Sequence, residues 1–464
     1  MSDATLSFDA KVGRAGTEQW SSRMVYVLAM TGSAVGLGNI WRFPYIMGEH
    51  GGGAFVLVYL LCIGLIGLPV LMSEALVGKF GRRSPAKSVA AIAQASGSNR
   101  GWSVVGTTGS IAGFLILSFY VVIAGWAVAY TWFGFSGQFT GKDAEQIGEL
   151  FGGLLASPSS LMVVSLVMIA GITFVVSRGI RAGLEAAVSK MMPLLFVLLS
   201  VLVVYAAVTG EFGQAVQFMF APDFSKLTWT SVLVALGHSF FTLSLASGIV
   251  IMYGAYLPEG TSIARTSVQI ALLDTVVALL AGLAIFPIVF ANGLEPGAGP
   301  GLLFHSLPIA FGSMPMGQIV GGLFFLMVVV AAFTSGISLI ESTVVRFCEI
   351  TGLSRINSAM IVATTLGLMS LLTVYSFAGA DWASPEWLGM SYFDAIDQLT
   401  EKVMLPLGGL AIAVFTGWFV SREISLKLLN GNALIHALWL FCVQFLAPAA
   451  IVVVFLQSVG VLRF

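Results

Sequence analysis

The stretch of sequence that decides the fold reads Gly32-Ser-Ala-Val-Gly-Leu-Gly-Asn-Ile-Trp-Arg-Phe-Pro44. Three glycines stand in it, beside the polar Asn39 and the charged Arg42, within an otherwise apolar segment. One interpretation is that the small residues only let membrane helices pack closely. The polar and charged neighbours favour a second interpretation, in which the helix is unwound here and its backbone groups face a cavity.

A second stretch of the same character lies at Phe240-Phe-Thr-Leu-Ser-Leu-Ala-Ser-Gly248. Its hydroxyl groups could simply bond back to the carbonyls of an intact helix. The alternative is a second unwound helix. Interrupted helices at equivalent places in two halves of a chain are the best sequence indication of a transporter with inverted repeats, whose freed carbonyls bind small cations.

The composition places both stretches in a membrane. Of the 464 residues, 58% are hydrophobic and only 9% are charged, with 21 basic and 22 acidic side chains. Soluble domains carry about 25% charged residues, and a soluble fold so poor in charge would expose large apolar patches. The net charge of −1 offers no basic surface for nucleic acid. We therefore expect an integral membrane protein surrounded by the lipid bilayer, and we exclude a soluble enzyme, a nucleic-acid binder and a disordered chain.

The gaps between charged residues predict the membrane spans, because a helix needs about 20 mostly apolar residues to cross the bilayer. A transmembrane β-barrel would instead show alternating segments of about 10 residues. Eleven helical spans are predicted, at about 24–47, 53–79, 103–135, 159–177, 188–209, 230–257, 266–292, 316–348, 356–376, 396–421 and 433–459.

The loop cations predict the orientation, since short cytoplasmic loops are rich in Lys and Arg. With the segment 1–23 in the cytoplasm, 16 Lys and Arg residues lie on the inside. Only Lys142, Lys226 and Arg463 lie outside. Eleven spans then place the C-terminus outside.

Four motifs make the chain recognisable: the first stretch above, Gly51-Gly-Gly-Ala-Phe55, Phe240-Phe-Thr-Leu-Ser244 and Ala331-Ala-Phe-Thr-Ser335. With them the chain resembles the neurotransmitter:sodium symporter family, in its bacterial amino-acid transporter branch, from Trp20 to about residue 459. The resemblance implies the all-α leucine-transporter fold, with a first five-helix repeat at 24–209, an inverted second repeat at 230–421 and an extra helix at 433–459. Helices one and six would be unwound at mid-membrane, in the inner (plasma) membrane of a bacterium.

The function that the resemblance implies is import of an amino acid by sodium-coupled symport with alternating access, and not enzymatic catalysis. Two Na⁺ ions and no organic cofactor are expected, and the sequence leaves the oligomeric state open. One alternative is a proton-coupled amino-acid permease of the same fold, which would usually lack the hydroxyl ligands of the second sodium site. The other is a non-transporting amino-acid sensor, which would want an added signalling domain.

The resemblance also implies the ligands of the two ions, all of them hard oxygen donors suited to Na⁺. The first site would use the Ala34 carbonyl, the Asn39 side chain, both oxygens of Thr242 and the residue at position 274, here Asp274. The second site would use the carbonyls of Gly32, Val35 and Ala331 and the hydroxyls of Thr334 and Ser335.

The substrate pocket that the resemblance implies lies between the two unwound segments. Gly36 leaves room for the carboxylate of the substrate to complete the first sodium site, and the Tyr120 hydroxyl would hold the same carboxylate. The pocket contains no charge to pair with an acidic or basic side chain, so a small neutral, mainly hydrophobic amino acid is expected, with aromatic ones included because Ser247 and Gly336 enlarge the pocket. The predicted lining is Ala34, Gly36, Gly38, Ile116, Tyr120, Phe241, Thr242, Ser244, Ser247, Ser335, Gly336 and Leu339.

Charged residues within the spans match the gates of the family. Arg42 and Asp397 would form an outer ion pair above the substrate, with Phe241 as a lid; the alternative is a static pair that stabilises the outer ends of the helices. At the inner side, the resemblance assigns a gate to Trp20, Tyr256 and Glu349. The family's inner arginine falls on Thr17, and Arg14 is the candidate to replace it.

Two further positions are informative. Asp274 stands where the family usually has Asn beside a bound chloride, so its carboxylate is expected to replace the anion and make transport chloride-independent. The other interpretation pairs Asp274 with His238, which replaces the usual Gln and could link transport to protons. Glu74 matches a carboxylate that supports the unwound part of span six. Gly183 and Pro193 match a pattern linked to local unwinding of span five, or else are a loop glycine and a helix-kinking proline.

Overall fold

The computed structural model describes residues 18–296 and 301–462. Within these ranges every regular element is a helix, apart from one isolated bridge between Gly52 and Pro222. Thr17, Arg14 and Arg463 lie outside the described residues, so the prediction that Arg14 takes over the role of an inner-gate arginine has no structural counterpart here.

Nine continuous helices in the described part of the chain are long and apolar enough to cross a membrane. The first span is a bent pair, Arg23–Ala34 and Gly38–Glu49, whose two parts differ in direction by 55°. The nine continuous helices are Gly53–Gly81, Arg100–Phe135, Pro158–Ser177, Ile180–Thr209, Ile263–Ala291, Gly317–Thr351, Arg355–Phe377, Tyr392–Phe419 and Ala433–Ser458.

The place of the sixth span holds two shorter helices, Trp229–Thr242 and Ile249–Ala255. Counted with them, the helices follow the predicted order, and their bounds lie close to the predicted ones. The count of eleven crossings and the division into repeats at 24–209 and 230–421 stay predictions. Connecting helices lie at Pro85–Ala95, Ala144–Leu155, Phe212–Phe220, Leu302–Ser313 and Arg422–Leu428.

The fifth helix differs most from its predicted bounds, since it begins at Ile180 and not at 188. The sequence predicted a loop at its first turns because they contain the charged residues Arg181, Glu185 and Lys190. These side chains lie on the more exposed positions, while Leu184 and Val188 are buried. The helix therefore extends past the apolar stretch.

The first helix is interrupted within its glycine-containing stretch, between Ala34 and Gly38. Ser22 caps its start by accepting a hydrogen bond from the Val25 amide. At Val35 the backbone is extended, with φ −72° and ψ 100°. The helix resumes at Gly38 with a wide π-helical turn that ends at Arg42. Between the two parts, the amides of Gly36 and Leu37 donate to the side chains of Asn39 and Tyr120 and not to helical carbonyls.

The sixth helix breaks over residues 243–248. Thr228 caps its first half in a reciprocal arrangement with Ser231. Beyond Thr242 the chain turns through positive φ at Ser244 (54°), Ala246 (60°) and Gly248 (77°). Non-glycine residues adopt this conformation rarely and at some cost, so surrounding contacts must hold the segment.

Packing brings the two breaks together in the middle of the molecule. The third and eighth helices pack along each other at the centre, the first helix packs against the eighth, and the sixth packs against both. The Ser244 hydroxyl donates to the Ser33 carbonyl at 3.1 Å, which links one break directly to the other. The candidate site lies at this junction.

Candidate functional site

A central cavity lies between the two breaks and is closed by the third, eighth and tenth helices. Among the residues that the structure describes, no charged side chain lines it. Its walls are Ser33, Ala34, Gly36, Leu37, Gly38, Ile116, Tyr120, Phe241, Ser244, Leu245, Ser247, Ile249, Ser335, Leu339 and Leu405. Ten of the predicted pocket residues are among these, and Ser33, Leu37, Leu245, Ile249 and Leu405 were not predicted.

Two residues of the predicted pocket lie elsewhere. The Thr242 hydroxyl turns away to the Asp274 carboxylate. Gly336 faces the fourth helix, because a Cβ added there would lie 2.5 Å from Cδ1 of Ile172. Adjacent residues on a helix point about 100° apart, so Ser335 reaches the cavity and Gly336 does not. The expectation that Gly336 enlarges the pocket was therefore wrong.

The polar end of the cavity is formed by Gly36 and Tyr120. The Leu37 amide donates to the Tyr120 hydroxyl at 3.5 Å. A Cβ added to Gly36 would lie 2.9 Å from the Tyr120 hydroxyl oxygen and 2.6 Å from Oγ of Ser335. The absence of a side chain at Gly36 thus keeps three polar groups accessible in one place.

The first oxygen cluster is built around Asp274, which is fully buried. The Asn39 amide donates to Oδ1 of Asp274 at 2.8 Å and to its backbone carbonyl at 3.2 Å. The Thr242 hydroxyl donates to Oδ2 at 3.0 Å. The structure thus brings together the side chains predicted for the first ion site, with Ala34 beside them in the cavity wall.

The second oxygen cluster joins the first break to the eighth helix. The Ser335 hydroxyl lies 3.4 Å from the carbonyl oxygens of both Gly32 and Val35, and 3.2 Å from that of Ser33. The Thr334 hydroxyl lies 3.0 Å from the Ala331 carbonyl oxygen. All five predicted groups therefore lie close together, and every one offers an oxygen to a hard cation.

His238 does not pair with Asp274. Both ring nitrogens of His238 are buried, and neither has a hydrogen-bond partner among the described residues. The ring stacks on Phe43 at a centroid distance of 5.8 Å and lies 5.5 Å from the ring of Tyr59. The interpretation that His238 is the donor to Asp274 was wrong, because Asn39 and Thr242 occupy that position.

The outer ion pair has a different partner from the predicted one. Arg42 bonds to Glu401, and its guanidinium lies 4.8 Å from the ring centroid of Phe241. Asp397 lines the same outer cavity of about 450 Å³ without forming an ion pair with Arg42. Asp397 and Glu401 lie four residues apart, hence on one face of the tenth helix. Arg42 pairs with Glu401, which has the longer side chain.

At the inner end, hydrogen bonds from Trp20 link the start of the first helix to the sixth helix. Its backbone amide donates to the Tyr256 carbonyl at 3.0 Å, and its indole donates to the Tyr253 carbonyl at 3.3 Å. The Tyr256 hydroxyl donates to Glu341 at 2.6 Å, and Arg355 pairs with the same carboxylate at 2.5 Å. Trp20 and Tyr256 are thus together, as predicted.

Glu349 lies apart from this group. Its carboxylate accepts hydrogen bonds from the Ser84 amide at 3.1 Å and the Ser84 hydroxyl at 2.5 Å, and Lys87 lies 3.5 Å away. Glu341, earlier on the same helix, occupies the place that the sequence assigned to Glu349. Burial distinguishes the two carboxylates, since Glu341 is fully buried and is the first charged residue of the helix Gly317–Thr351.

Glu74 holds the break of the sixth helix. Its Oε1 atom accepts a hydrogen bond from the Ala246 amide at 2.6 Å. Ala246 has positive φ, so its amide points away from any helical acceptor. A buried carboxylate supplies the acceptor that the unwound backbone lacks.

These features define a membrane transporter, with a solute cavity between two interrupted helices and two oxygen clusters beside it. A model of the sodium:neurotransmitter symporter family matches residues 17–147 and 145–463. The uncharacterised sodium-dependent transporter YhdH of Bacillus subtilis is 35% identical over 450 residues, which cover 96% of this chain and 98% of YhdH. An uncharacterised sodium-dependent transporter of Haemophilus influenzae is 31% identical over 454 residues, covering 95% of this chain and 98% of that one.

Among solved structures, the crystal structure of MhsT in complex with L-phenylalanine superposes with a TM-score of 0.86 at 39% identity, covering 96% of this chain and all of that one. The chain belongs to the sodium:neurotransmitter symporter family. It is an integral membrane protein and a sodium-dependent transporter. The predicted leucine-transporter fold is confirmed.

Proposed function

We propose that this protein imports a neutral, mainly hydrophobic L-amino acid by symport with sodium ions. The observation that carries the proposal is the uncharged cavity with an oxygen cluster on either side. A zwitterion can place its carboxylate at Gly36 and Tyr120, next to the first cluster. The bound carboxylate then becomes an ion ligand, so each partner raises the affinity of the other.

The apolar character of the cavity walls supports a substrate with an apolar side chain, and we include aromatic ones in the proposal. Ile116, Leu339 and Leu405 supply apolar walls, and Ser247 takes little space at its end. The related MhsT structure contains L-phenylalanine. An acidic or basic side chain would lose its hydration here without gaining a charged partner.

In the proposed cycle two Na⁺ ions and the amino acid enter from the outer end. The Arg42–Glu401 pair and Phe241 close above the substrate. Release toward the inner end then requires the contacts of Trp20 and Tyr256 to open. Alternating access of this kind is driven by the sodium gradient, because ion and substrate must move together.

The orientation and location of the protein are part of the proposal. The excess of Lys and Arg in the loops on one side supports a cytoplasmic N-terminus and an external C-terminus. We assign the protein to the inner membrane of a bacterium, where an importer has access to a sodium gradient.

The test is a panel of the twenty amino acids added to the purified protein, with thermal unfolding measured in sodium and in choline. Neutral apolar amino acids are expected to raise the unfolding temperature in sodium only, because ligand binding stabilises the folded state. Stabilisation by charged amino acids, or stabilisation that is equal in choline, would contradict the proposal.

A further inference from the structure

A second cavity lies behind one wall of the central cavity. It is bounded by the outer half of the sixth helix and by the tenth and eleventh helices, and it measures about 340 Å³. We call it the side cavity. Its polar residues include Arg42 and Glu401, but most of its lining is apolar and includes Leu233, Leu236, Phe240, Pro406, Ile451 and Val454. An apolar cavity of about 150 Å³ is large enough to bind benzene, so the side cavity has room for an aromatic ring.

Two residues separate the side cavity from the central cavity. Phe241 and Leu405 line both cavities, and no other residue in the described part of the chain does so. Phe241 also lines the outer cavity, where the guanidinium of Arg42 lies over its ring, so it is part of the proposed outer gate. Leu405 is buried, with 5% of its surface exposed. Its side chain is therefore the part of the partition that has no role in the gate.

Two glycines bring the tenth helix close to the break of the sixth. Leu405, Gly408 and Gly409 are three and four residues apart, which places them on one face of the helix. A Cβ added to Gly408 would lie 3.0 Å from Cβ of Ala246, within the break, and one added to Gly409 would lie 2.6 Å from Cε1 of Phe240. Leu405 lies one turn before these contacts, and its side chain therefore reaches the wall of the central cavity.

The walls formed by the third and eighth helices have no such space behind them. A Cβ added to Gly113 of the third helix would lie 2.7 Å from the Ser247 carbonyl oxygen. A Cβ added to Gly336 of the eighth helix would lie 2.5 Å from Cδ1 of Ile172. These helices are thus closely packed against their neighbours, whereas Leu405 has a cavity behind it. A substrate side chain that is too long for the central cavity gains room most easily past Leu405.

We propose that Leu405 sets the upper limit on the length of the substrate side chain, because it closes the central cavity against the side cavity. The inference rests on the proposed function, in which the central cavity binds an apolar amino acid. Side chains up to the length of phenylalanine fit in front of Leu405, and longer ones collide with it. A smaller residue at this position would join the two cavities. The apolar walls of the side cavity would then bury the end of a long side chain, which favours binding.

The first experiment measures the length limit of the unchanged protein. L-Phenylalanine, L-homophenylalanine and O-benzyl-L-tyrosine compete in sodium with the radiolabelled amino acid that gives the largest thermal stabilisation. The inhibition constant is expected to be at least tenfold higher for O-benzyl-L-tyrosine than for L-phenylalanine, since only the longer side chain meets Leu405. Equal inhibition constants across the series would overturn the proposal.

The second experiment compares Leu405→Ala with Leu407→Ala in the full-length protein. Leu407 is on the same helix, is 40% exposed and lines neither cavity, so it is the matched control. In L405A the inhibition constant of O-benzyl-L-tyrosine, relative to that of L-phenylalanine, is expected to fall at least tenfold. In L407A this ratio should stay as in the unchanged protein. An unchanged ratio in L405A would overturn the proposal, and so would an equal fall in L407A.

The third experiment tests whether the long side chain enters the side cavity. Val454→Phe places an additional ring at the lining of this cavity, from the eleventh helix. Added to L405A, it should remove most of the gain in affinity for O-benzyl-L-tyrosine, because the space behind position 405 is then filled. V454F alone should keep the selectivity of the unchanged protein. If the double variant retained the whole gain, the side cavity would not be the space that Leu405 closes off, and the proposal would fail.

The outcomes separate this inference from the proposed function. If no amino acid stabilises the unchanged protein in sodium, the proposed function is refuted, and the length limit with it. If apolar amino acids stabilise the protein but L405A keeps the selectivity of the unchanged protein, only the role of Leu405 is refuted. If L405A does not fold, Leu405→Val makes a smaller opening and should shift the same ratio in the same direction, and the competition series on the unchanged protein tests the limit itself.

Discussion

A side chain at Gly36 would occupy the space in front of the Tyr120 and Ser335 hydroxyls. A Cβ there would lie within 3 Å of both the Tyr120 hydroxyl and Oγ of Ser335, so it would displace the hydroxyls that are proposed to meet the substrate carboxylate. We expect Gly36→Ala to abolish amino-acid binding or weaken it at least tenfold, an effect of about 1.4 kcal/mol or more. Sodium-dependent thermal stabilisation by the preferred amino acid measures this.

The matched control for that variant is Gly64→Ala. A Cβ at Gly64 would meet nothing within 4 Å, and alanine is favoured over glycine in a helix. G64A should bind like the unchanged protein. If G36A also bound normally, the cavity described here would not be the substrate site.

Asp274 carries the second prediction at the scale of single residues. Its carboxylate supplies a fixed negative charge beside the proposed first sodium site, so uptake by the unchanged protein should be the same in chloride and in gluconate. Asp274→Asn removes that charge but keeps the shape. Uptake by D274N should become dependent on chloride or fall to background in both salts, and unchanged D274N uptake in gluconate would refute the role of the charge.

Sequence reasoning at this scale found the residue types but not always the partners. Arg42 was identified, but its partner is Glu401 and not Asp397. The two carboxylates share a helix face, and only side-chain length and local packing choose between them. The same holds for Glu341 and Glu349. Gly36, Asn39 and Ser335 were located because the backbone motif itself fixes their positions.

At the scale of elements, the break of the sixth helix depends on Glu74. The carboxylate accepts from the Ala246 amide at 2.6 Å, in a segment with positive φ at Ser244 and Ala246. Glu74→Ala leaves a buried amide without a partner, which costs about 1–3 kcal/mol. We expect E74A to unfold at a lower temperature and to lose amino-acid binding.

Glu74→Gln is the control for this loss. The amide side chain keeps an oxygen acceptor of the same length for the Ala246 amide, so E74Q should recover most of the stability and binding that E74A loses. Thermal unfolding and amino-acid binding, measured for both variants, decide the point. Equal defects in the two variants would show that the charge of Glu74 matters and not its hydrogen bond.

The helices themselves were largely predictable from the sequence, because apolar runs of span length leave few alternatives in a bilayer. The exceptions have physical causes. The fifth helix begins among charges because those side chains lie on its exposed side. The extent of the break at 243–248 follows from contacts with Glu74 and Ser33, which lie far away in the sequence and which no local pattern reveals.

At the scale of the whole molecule, both ends of the central cavity are closed by charged networks. Arg42 and Glu401 close the outer end, and Tyr256, Glu341 and Arg355 lie at the inner end. Alternating access requires these two networks to open in turn. Each should therefore control access to the cavity from its own side.

The outer network yields a prediction about access. Glu401→Gln removes the charge that pairs with Arg42, whereas Asp397→Asn changes a carboxylate outside that ion pair. The reporter is Leu37→Cys in a protein whose native cysteines have been replaced. With E401Q added, this cysteine should react faster with a polar thiol reagent supplied from outside than it does without E401Q. With D397N added, the reaction rate of the cysteine should stay closer to the rate in the protein that carries only the reporter cysteine. The reverse order would identify Asp397 as the partner that matters in the membrane.

The second oxygen cluster is built mostly from the main chain, since the carbonyls of Gly32, Ser33 and Val35 surround the Ser335 hydroxyl. A point mutation cannot delete a carbonyl. Substitutions in the side chains of the cavity walls can thus alter which solute is accepted while the proposed ion ligands stay the same. This arrangement would let a few substitutions change the transported solute while the same sodium gradient continues to drive transport.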